Sequence, residues 1–191
     1  MDKPRIILGS KSPRRQTLIK ELGFDFEIRT KEVEEIYPED LNIRMVPEYL
    51  AKLKASTLEK NIDDNEILLT SDTVVILNNQ LLGKPENRAE SIHMLKSLSG
   101  NMHEVITGVY LCSTSIQKTF SSITKVYFSG LTDEEIEHYV DSFEPFDKAG
   151  SYGIQEWIGY IGISKIEGCY YNVMGLPLHD IYKALKTDFS F

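Results

Sequence analysis

A chain of 191 residues that is 41% hydrophobic and 26% charged has the composition of an ordinary globular protein, which excludes a disordered or fibrous one. Its 21 basic and 29 acidic side chains leave a net charge of −8, so a nucleic-acid polymer held through phosphate contacts is not an expected partner. Apolar runs reach only three or four residues, and Ile6 to Leu8 after Met1-Asp2-Lys3-Pro4-Arg5 are too few for a leader, so neither membrane span nor secretion is expected.

In chain order, Arg5 to Gly9 reads as a short buried strand. Ser12-Pro13 opens a helix, with Ser12 as N-cap and proline at the first helical position, running to Leu22 and stopping at Gly23. Phe24, Phe26 and Ile28 alternate with polar residues as in a half-buried strand. An acidic loop, Lys31 to Asp40, precedes a helix predicted from about Pro47 to Glu59. Residues 66–77 form the clearest strand, and Asn78-Asn79 suits the tight turn of a hairpin. Asn87 with Glu90 opens a helix ending near Gly100, and strands follow at 104–112 and 119–128. Thr132 with Glu135 opens another helix to about Ser142; the glycine-rich stretch 150–168 reads as loop and twisted strand, and Pro177 begins the last helix. No linker, low-complexity tract or repeat interrupts the chain, so residues 1–191 read as a single domain, with two lobes allowed for. Strands and helices mix without strict alternation, which predicts an α/β fold with a mixed sheet.

Charge is unevenly spread. Lys3, Arg5, Lys11, Arg14, Arg15 and Lys20 against Asp2 give the first 20 residues a charge of +5, leaving −13 on the remainder. A cationic patch on an acidic protein fits a small anionic ligand or, more plainly, a solvated basic face. Three residues break the local rules. Arg14 and Arg15 stand in the first turn of a helix, where the helix dipole disfavours cations unless an anion is bound; Ser10, just before, could add a hydroxyl. Lys54 falls on a stripe with Leu50, Ala51, Ala55 and Leu58, so its ammonium either snorkels to water or meets a negative partner. Asp72 shares a strand face with Leu68, Val74 and Ile76. A carboxylate there is hydrogen-bonded, paired or bound to a metal, and the roles of general base, metal ligand and structural residue are all open to it.

Lys84-Pro85 puts a further ammonium at a turn, and Glu34 and Glu35 in the acidic loop could offer oxygens to a hard cation or simply face water. Phosphate-binding glycine loops, a zinc-protease helix and a serine-hydrolase elbow have no match. His93, His103, His138 and His179 share no metal spacing. Cys112 and Cys169 show neither a disulfide framework nor a zinc spacing, which makes a reducing cytoplasm the expected setting.

Seven ordered blocks carry a resemblance to a known family. Gly9-Ser10-Lys11-Ser12-Pro13-Arg14-Arg15, Leu50-Ala51-x-x-Lys54-Ala55, Ser71-Asp72-Thr73-Val74-Val75 and Gly83-Lys84-Pro85 come first. Then follow Leu98-Ser99-Gly100-x-x-His103-x-Val105-x-Thr107-Gly108, Asp147-Lys148-Ala149-Gly150-x-Tyr152-Gly153-Ile154-Gln155 and Asn172-Val173-Met174-Gly175-Leu176-Pro177-Leu178. Together they resemble the Maf family of nucleoside triphosphate pyrophosphatases, colinear from residue 6 to about 186.

The resemblance implies a mixed central sheet flanked by helices, with two lobes around a cleft, similar to inosine triphosphate pyrophosphatases. It implies hydrolysis of a nucleoside triphosphate to the monophosphate and pyrophosphate with a divalent cation, Mg²⁺ or Mn²⁺. Asp72 would accept the proton of the attacking water, and Ser10, Arg15, Lys54 and Lys84 would hold the triphosphate. Glu35 would help Asp72 place the metal. Arg14, Thr73 and Gln155 match the branch acting on dTTP and UTP, with modified pyrimidine triphosphates within reach. A 7-methyl-GTP pyrophosphatase and a nucleotide-binding regulator of cell division without turnover are the alternatives. A homodimer is expected on the same ground. The chain departs from the family at Glu156-Trp157-Ile158, where a glycine-rich stretch is usual, and at Cys169, where an acidic or small polar residue is common.

Overall fold

A computed structural model describes residues 4–189. Met1, Asp2 and Lys3, which enter the leader reading and, for Asp2 and Lys3, the basic N-terminal cluster, lie outside the described residues. Among the described residues, seven strands, β1 (Arg5–Leu8), β2 (Phe26–Ile28), β3 (Glu66–Leu77), β4 (Gln80–Leu82), β5 (Met102–Cys112), β6 (Gln117–Phe128) and β7 (Ile163–Glu167), form one sheet. They hydrogen-bond in the order β2-β1-β3-β5-β6-β7, with β4 on β3. β1 runs parallel to both β2 and β3, whereas β3–β4 and β6–β7 are antiparallel, so the sheet is mixed as expected. The helices are α1 (Pro13–Glu21), α2 (Val46–Ser56), α3 (Arg88–Leu98), α4 (Asp133–Phe143), α5 (Trp157–Gly162), α6 (Tyr170–Val173) and α7 (Leu178–Asp188).

The chain divides into two compact units that alternate along the sequence: residues 1–72, 107–122 and 175–191, and residues 73–106 with 123–174. In the first, α2 packs Ala51 and Ala55 against Ile7, Leu68, Tyr110 and Cys112. In the second, α3 and α4 bring Leu95, Leu98, Ile136, Tyr139 and Val140 onto Val75, Val105, Val126 and Phe128. Leu68 of β3 belongs to the first core, and Val75 and Leu77 to the second.

Local rules explain most boundaries. Asn78 and Asn79 both take positive φ, the geometry that a two-residue hairpin requires. The Asn87 side chain accepts from Glu90 N–H, and Thr132 with Glu135 forms a complete capping box. Ser12 is the N-cap residue of α1 and Pro13 its first helical residue, as expected, although the Ser12 side chain makes no cap bond; Ser10 Oγ accepts from Ser12 N–H at 3.2 Å. α2 ends at Ser56, earlier than expected, followed by a 3₁₀ turn at Glu59–Asn61. Ile28 is exposed rather than half-buried, since β2 stands at the sheet edge beside only β1. Within 150–168 the chain forms α5 before β7, a helix that the glycines Gly159 and Gly162 concealed. Cys112 and Cys169 are both free thiols.

At the start of β3, Glu66 is 3% exposed and ties three strands together. Its carboxylate accepts from Arg5 Nη2 at 2.6 Å, from Arg29 Nη1 and Nη2 at 3.0 and 3.1 Å, and from Asp63 N–H at 3.1 Å. The Arg29 hydrogen bonds, outweighing burial, hold its pKa down at about 2. A carboxyl pKa lowered by folding stabilises the protein above the free value, about 4.3, and that contribution is lost as pH falls towards 2. Glu66→Gln is expected to lower stability at neutral pH by about 1–3 kcal/mol and to flatten the acid limb of the stability profile. Urea denaturation between pH 2 and 7 checks this, and an unchanged midpoint at pH 7 would contradict it.

Candidate active site

The first unit gathers most of the residues singled out above. Thr70 and Asp72 share the β3 face that α2 covers. Thr70 Oγ1 donates to Ala51 O at 2.7 Å, a buried bond that sets the height of α2 over the strand. One turn further along α2, Lys54 Nζ reaches Asp72 Oδ1 at 2.5 Å. Close approach of α2 depends on Gly108 in β5, where a Cβ would fall 2.3–2.4 Å from the backbone of Pro47 and Glu48. Neither Thr70 nor Gly108 was assigned a structural part from the sequence; the size limit at Gly108 shows only once α2 is in place.

Asp72 is 9% exposed, and the Lys54 side chain 18%. The choice left open for Lys54 is thus resolved: its ammonium turns inward to negative partners. The second partner is Glu35, whose Oε1 lies 3.1 Å from Nζ and whose side chain is 51% exposed. Glu34 is exposed in the same loop. Two carboxylates from a loop and a strand therefore converge on one cation.

Arg15 reaches the same place from α1. Its Nε donates to Gly175 O and its Nη1 to Ser71 O, both at 3.0 Å, with Ser10 Oγ at 3.5 Å. Burial lowers the Arg15 pKa while the Asp72 charge raises it, and a guanidinium stays protonated at neutral pH in any case. The guanidinium thus fastens the chain beside Asp72 to the turn before α7 and leaves its positive charge at the carboxylate. Arg14, half-buried in the first turn of α1, repels it. Ser10 is buried, and Ser71 Oγ is buried with no hydrogen-bond partner among the described residues.

Thr73, Lys84 and Gln155 belong to the second unit. Lys84 is exposed in the turn after β4, where Gly83 O accepts from Gly150 N–H at 3.0 Å. Gln155 is half-buried; its main-chain O accepts from Tyr160 Oη at 2.8 Å, while its side-chain Oε1 is buried without a donor. Beside it lies a cluster that no local pattern reveals: Lys148, Glu156 and Tyr139. Lys148 belongs to the Asp147–Gln155 block and Glu156 follows it, but nothing in their spacing connects them to Tyr139.

Among the described residues, no three His, Cys, Asp or Glu side chains gather into a metal cage. Glu35 and Asp72 nevertheless suit a hard divalent cation of the Mg²⁺ kind, which takes one or two protein carboxylates and fills its other positions with phosphate oxygens and water. No helix among the described residues is long and apolar enough to cross a membrane.

Lys54→Met is expected to lower stability by about 1–3 kcal/mol, because it leaves the buried Asp72 carboxylate without its ammonium. Adding Asp72→Asn to that variant is expected to recover most of the loss. Chemical denaturation of the two single variants and the double variant measures the coupling. Additive losses would contradict the pairing.

Comparison with known proteins places these residues in context. A family model described as Maf-like protein matches residues 5–188. A dTTP/UTP pyrophosphatase of Bacteroides thetaiotaomicron is 49% identical over 187 residues, covering 97% of each chain. One of Christiangramia forsetii, also named dTTP/UTP pyrophosphatase, is 50% identical over 181 residues, covering 95% of this chain and 92% of its own. Among solved structures, the Staphylococcus aureus Ham1 protein shares the fold, with a TM-score of 0.53 at 15% identity, over 94% of this chain and 98% of that one.

Proposed function

Because the chain belongs to the Maf family, we propose that it hydrolyses nucleoside triphosphates, dTTP and UTP above all, to the monophosphate and pyrophosphate. The observation that carries this reading is the Asp72 carboxylate, nearly buried and held at 2.5 Å by Lys54. Cleaving a phosphoanhydride calls for an oriented water and for neutralisation of the phosphates, and little covalent chemistry is left to the protein. In this reading Lys54 binds Asp72 Oδ1, and Oδ2 accepts the proton of a water attacking the α-phosphorus. Arg15, Lys54, Ser10 and Lys84 supply positive charge and hydrogen bonds to the triphosphate.

Glu35 and Asp72 are the residues that would hold a divalent cation, Mg²⁺ or Mn²⁺. When bound, such an ion neutralises phosphate oxygens and lowers the cost of charge on the leaving pyrophosphate. Glu35 would offer an oxygen from its exposed loop and Asp72 one from β3. Base choice rests on Arg14, Thr73 and Gln155. The Gln155 amide offers both an acceptor and a donor, matching the N3–H and O4 of a uracil or thymine ring, and its buried, unpartnered Oε1 supports that part. The two free thiols agree with a cytoplasmic setting, and the family likeness suggests a homodimer as the working form.

Asp72→Asn is expected to fold normally while losing on the order of a hundredfold or more in turnover, the range for a positioned base. Pyrophosphate release from dTTP, UTP, dCTP and 7-methyl-GTP, with Mg²⁺ or Mn²⁺, is the measurement. Near-normal turnover by the variant would remove Asp72 from its role. Binding of dTTP by the wild type without pyrophosphate release would replace the enzyme with a sensor.

A further inference from the structure

The second unit contains a buried ionic cluster for which hydrolysis of a phosphoanhydride has no direct use. Lys148 is 8% exposed, and an ammonium at that depth requires a counter-charge. Two carboxylates provide it: Asp147, exposed, at 2.7 Å, and Glu156, mostly buried, at 3.1 Å. The other oxygen of Glu156 accepts the phenol proton of Tyr139, a fully buried side chain of α4. The same phenol oxygen accepts from Gly153 N–H at 3.0 Å. Burial and the Glu156 carboxylate both push the Tyr139 pKa up, so the phenol stays protonated and donates.

These contacts enclose Gln155 on both sides. Gly153 precedes it by two residues and Glu156 follows it directly. Glu156 N–H closes the turn on Gly153 O at 3.0 Å, and the Glu156 carboxyl lies 2.7–2.9 Å from where a Cβ on Gly153 would stand. A side chain at 153 would meet the carboxylate where it folds back over its own turn, and would push it from Lys148 and Tyr139. Gly159 repeats the constraint, since a Cβ there would fall 1.9 Å from Ile154 O. Tyr160 Oη then fixes the carbonyl of Gln155. The turn is thereby referenced to α4, a helix whose start is secured by its capping box.

We propose that Glu156 is a positioning residue for nucleobase selection: bound to Lys148 and Tyr139, it locks the 153–156 turn so that the Gln155 amide meets the pyrimidine edge in one register. This rests on the assignment of Gln155 to the base. A thymine or uracil edge presents an N3–H donor beside the O4 acceptor, whereas cytosine presents an N3 acceptor beside an amino donor. An amide held at a set place favours one pattern; an amide on a loose turn adapts to both. Glu156 thus gives this chain a fastening for its base-reading residue.

The test compares wild type, Glu156→Gln, Tyr139→Phe, Gln155→Ala and the double variant Gln155→Ala/Glu156→Gln, all checked for folding by circular dichroism and thermal midpoint. Steady-state kcat and KM are measured with dTTP and dCTP. Glu156→Gln is expected to raise the KM for dTTP about tenfold with kcat within about twofold, and to lower the dTTP/dCTP ratio of kcat/KM by about tenfold. Tyr139→Phe is expected to act in the same direction and decides the matter if Glu156→Gln fails to fold. In the Gln155→Ala background, Glu156→Gln is expected to add no further loss of discrimination. Folded variants that keep the wild-type ratio, or that lose kcat equally with both nucleotides, would overturn the positioning role alone. A wild type that releases no pyrophosphate would overturn the proposed activity, and one that hydrolyses dTTP and dCTP alike would remove Gln155 from base reading.

Discussion

The ion pair between Lys54 and Asp72 is the constraint around which the first unit is arranged. It joins a helix to a strand at 2.5 Å, with both side chains mostly withdrawn from the surface, so α2 must sit at a set height over β3. Thr70 on Ala51 sets one contact a turn away, Gly108 removes the side chain that would hold α2 off, and Arg15 pins Ser71 beside the carboxylate. Lys54 and Arg15 together match Asp72 and Glu35 in charge, leaving this cluster near neutrality by itself. A triphosphate brings several negative charges more, so the proposed activity calls for positive charge beyond this cluster.

Strand β3 carries two buried carboxylates on one face, Glu66 and Asp72, and they differ in how many partners they have. Glu66 accepts hydrogen bonds from two arginines and a main-chain amide, and its pKa is held at about 2. Its lone pairs are spoken for, and its part is to join β1, β2 and β3. Asp72, six residues on, pairs through one oxygen with one lysine, which Glu35 shares. Fewer partners at similar depth leave a carboxylate with capacity to accept a proton or a metal ion.

Much of this was legible in the sequence where a local rule governs. The stripe holding Lys54 and the alternation holding Asp72 placed both on inward faces, because helix and strand periods act over a few residues and tertiary packing had only to bring the faces together. Asn78-Asn79, Asn87 and Thr132 marked turns and caps for the same reason. Ser12-Pro13 marked the start of α1 in the same way, with only the Ser12 side-chain bond missing. The helix at 157–162 was hidden by glycines whose small size serves close packing, not loop freedom. The Lys148–Glu156–Tyr139 cluster was out of reach, since its members meet across a helix and two turns with no periodicity relating them.

The account stands on water, oriented by Asp72, attacking the α-phosphorus. Hydrolysis of dTTP in ¹⁸O-labelled water tests this most directly, through the masses of both products. Label in the dTMP and none in the pyrophosphate is the expected result. Label in the pyrophosphate, or products other than monophosphate and pyrophosphate, would contradict it.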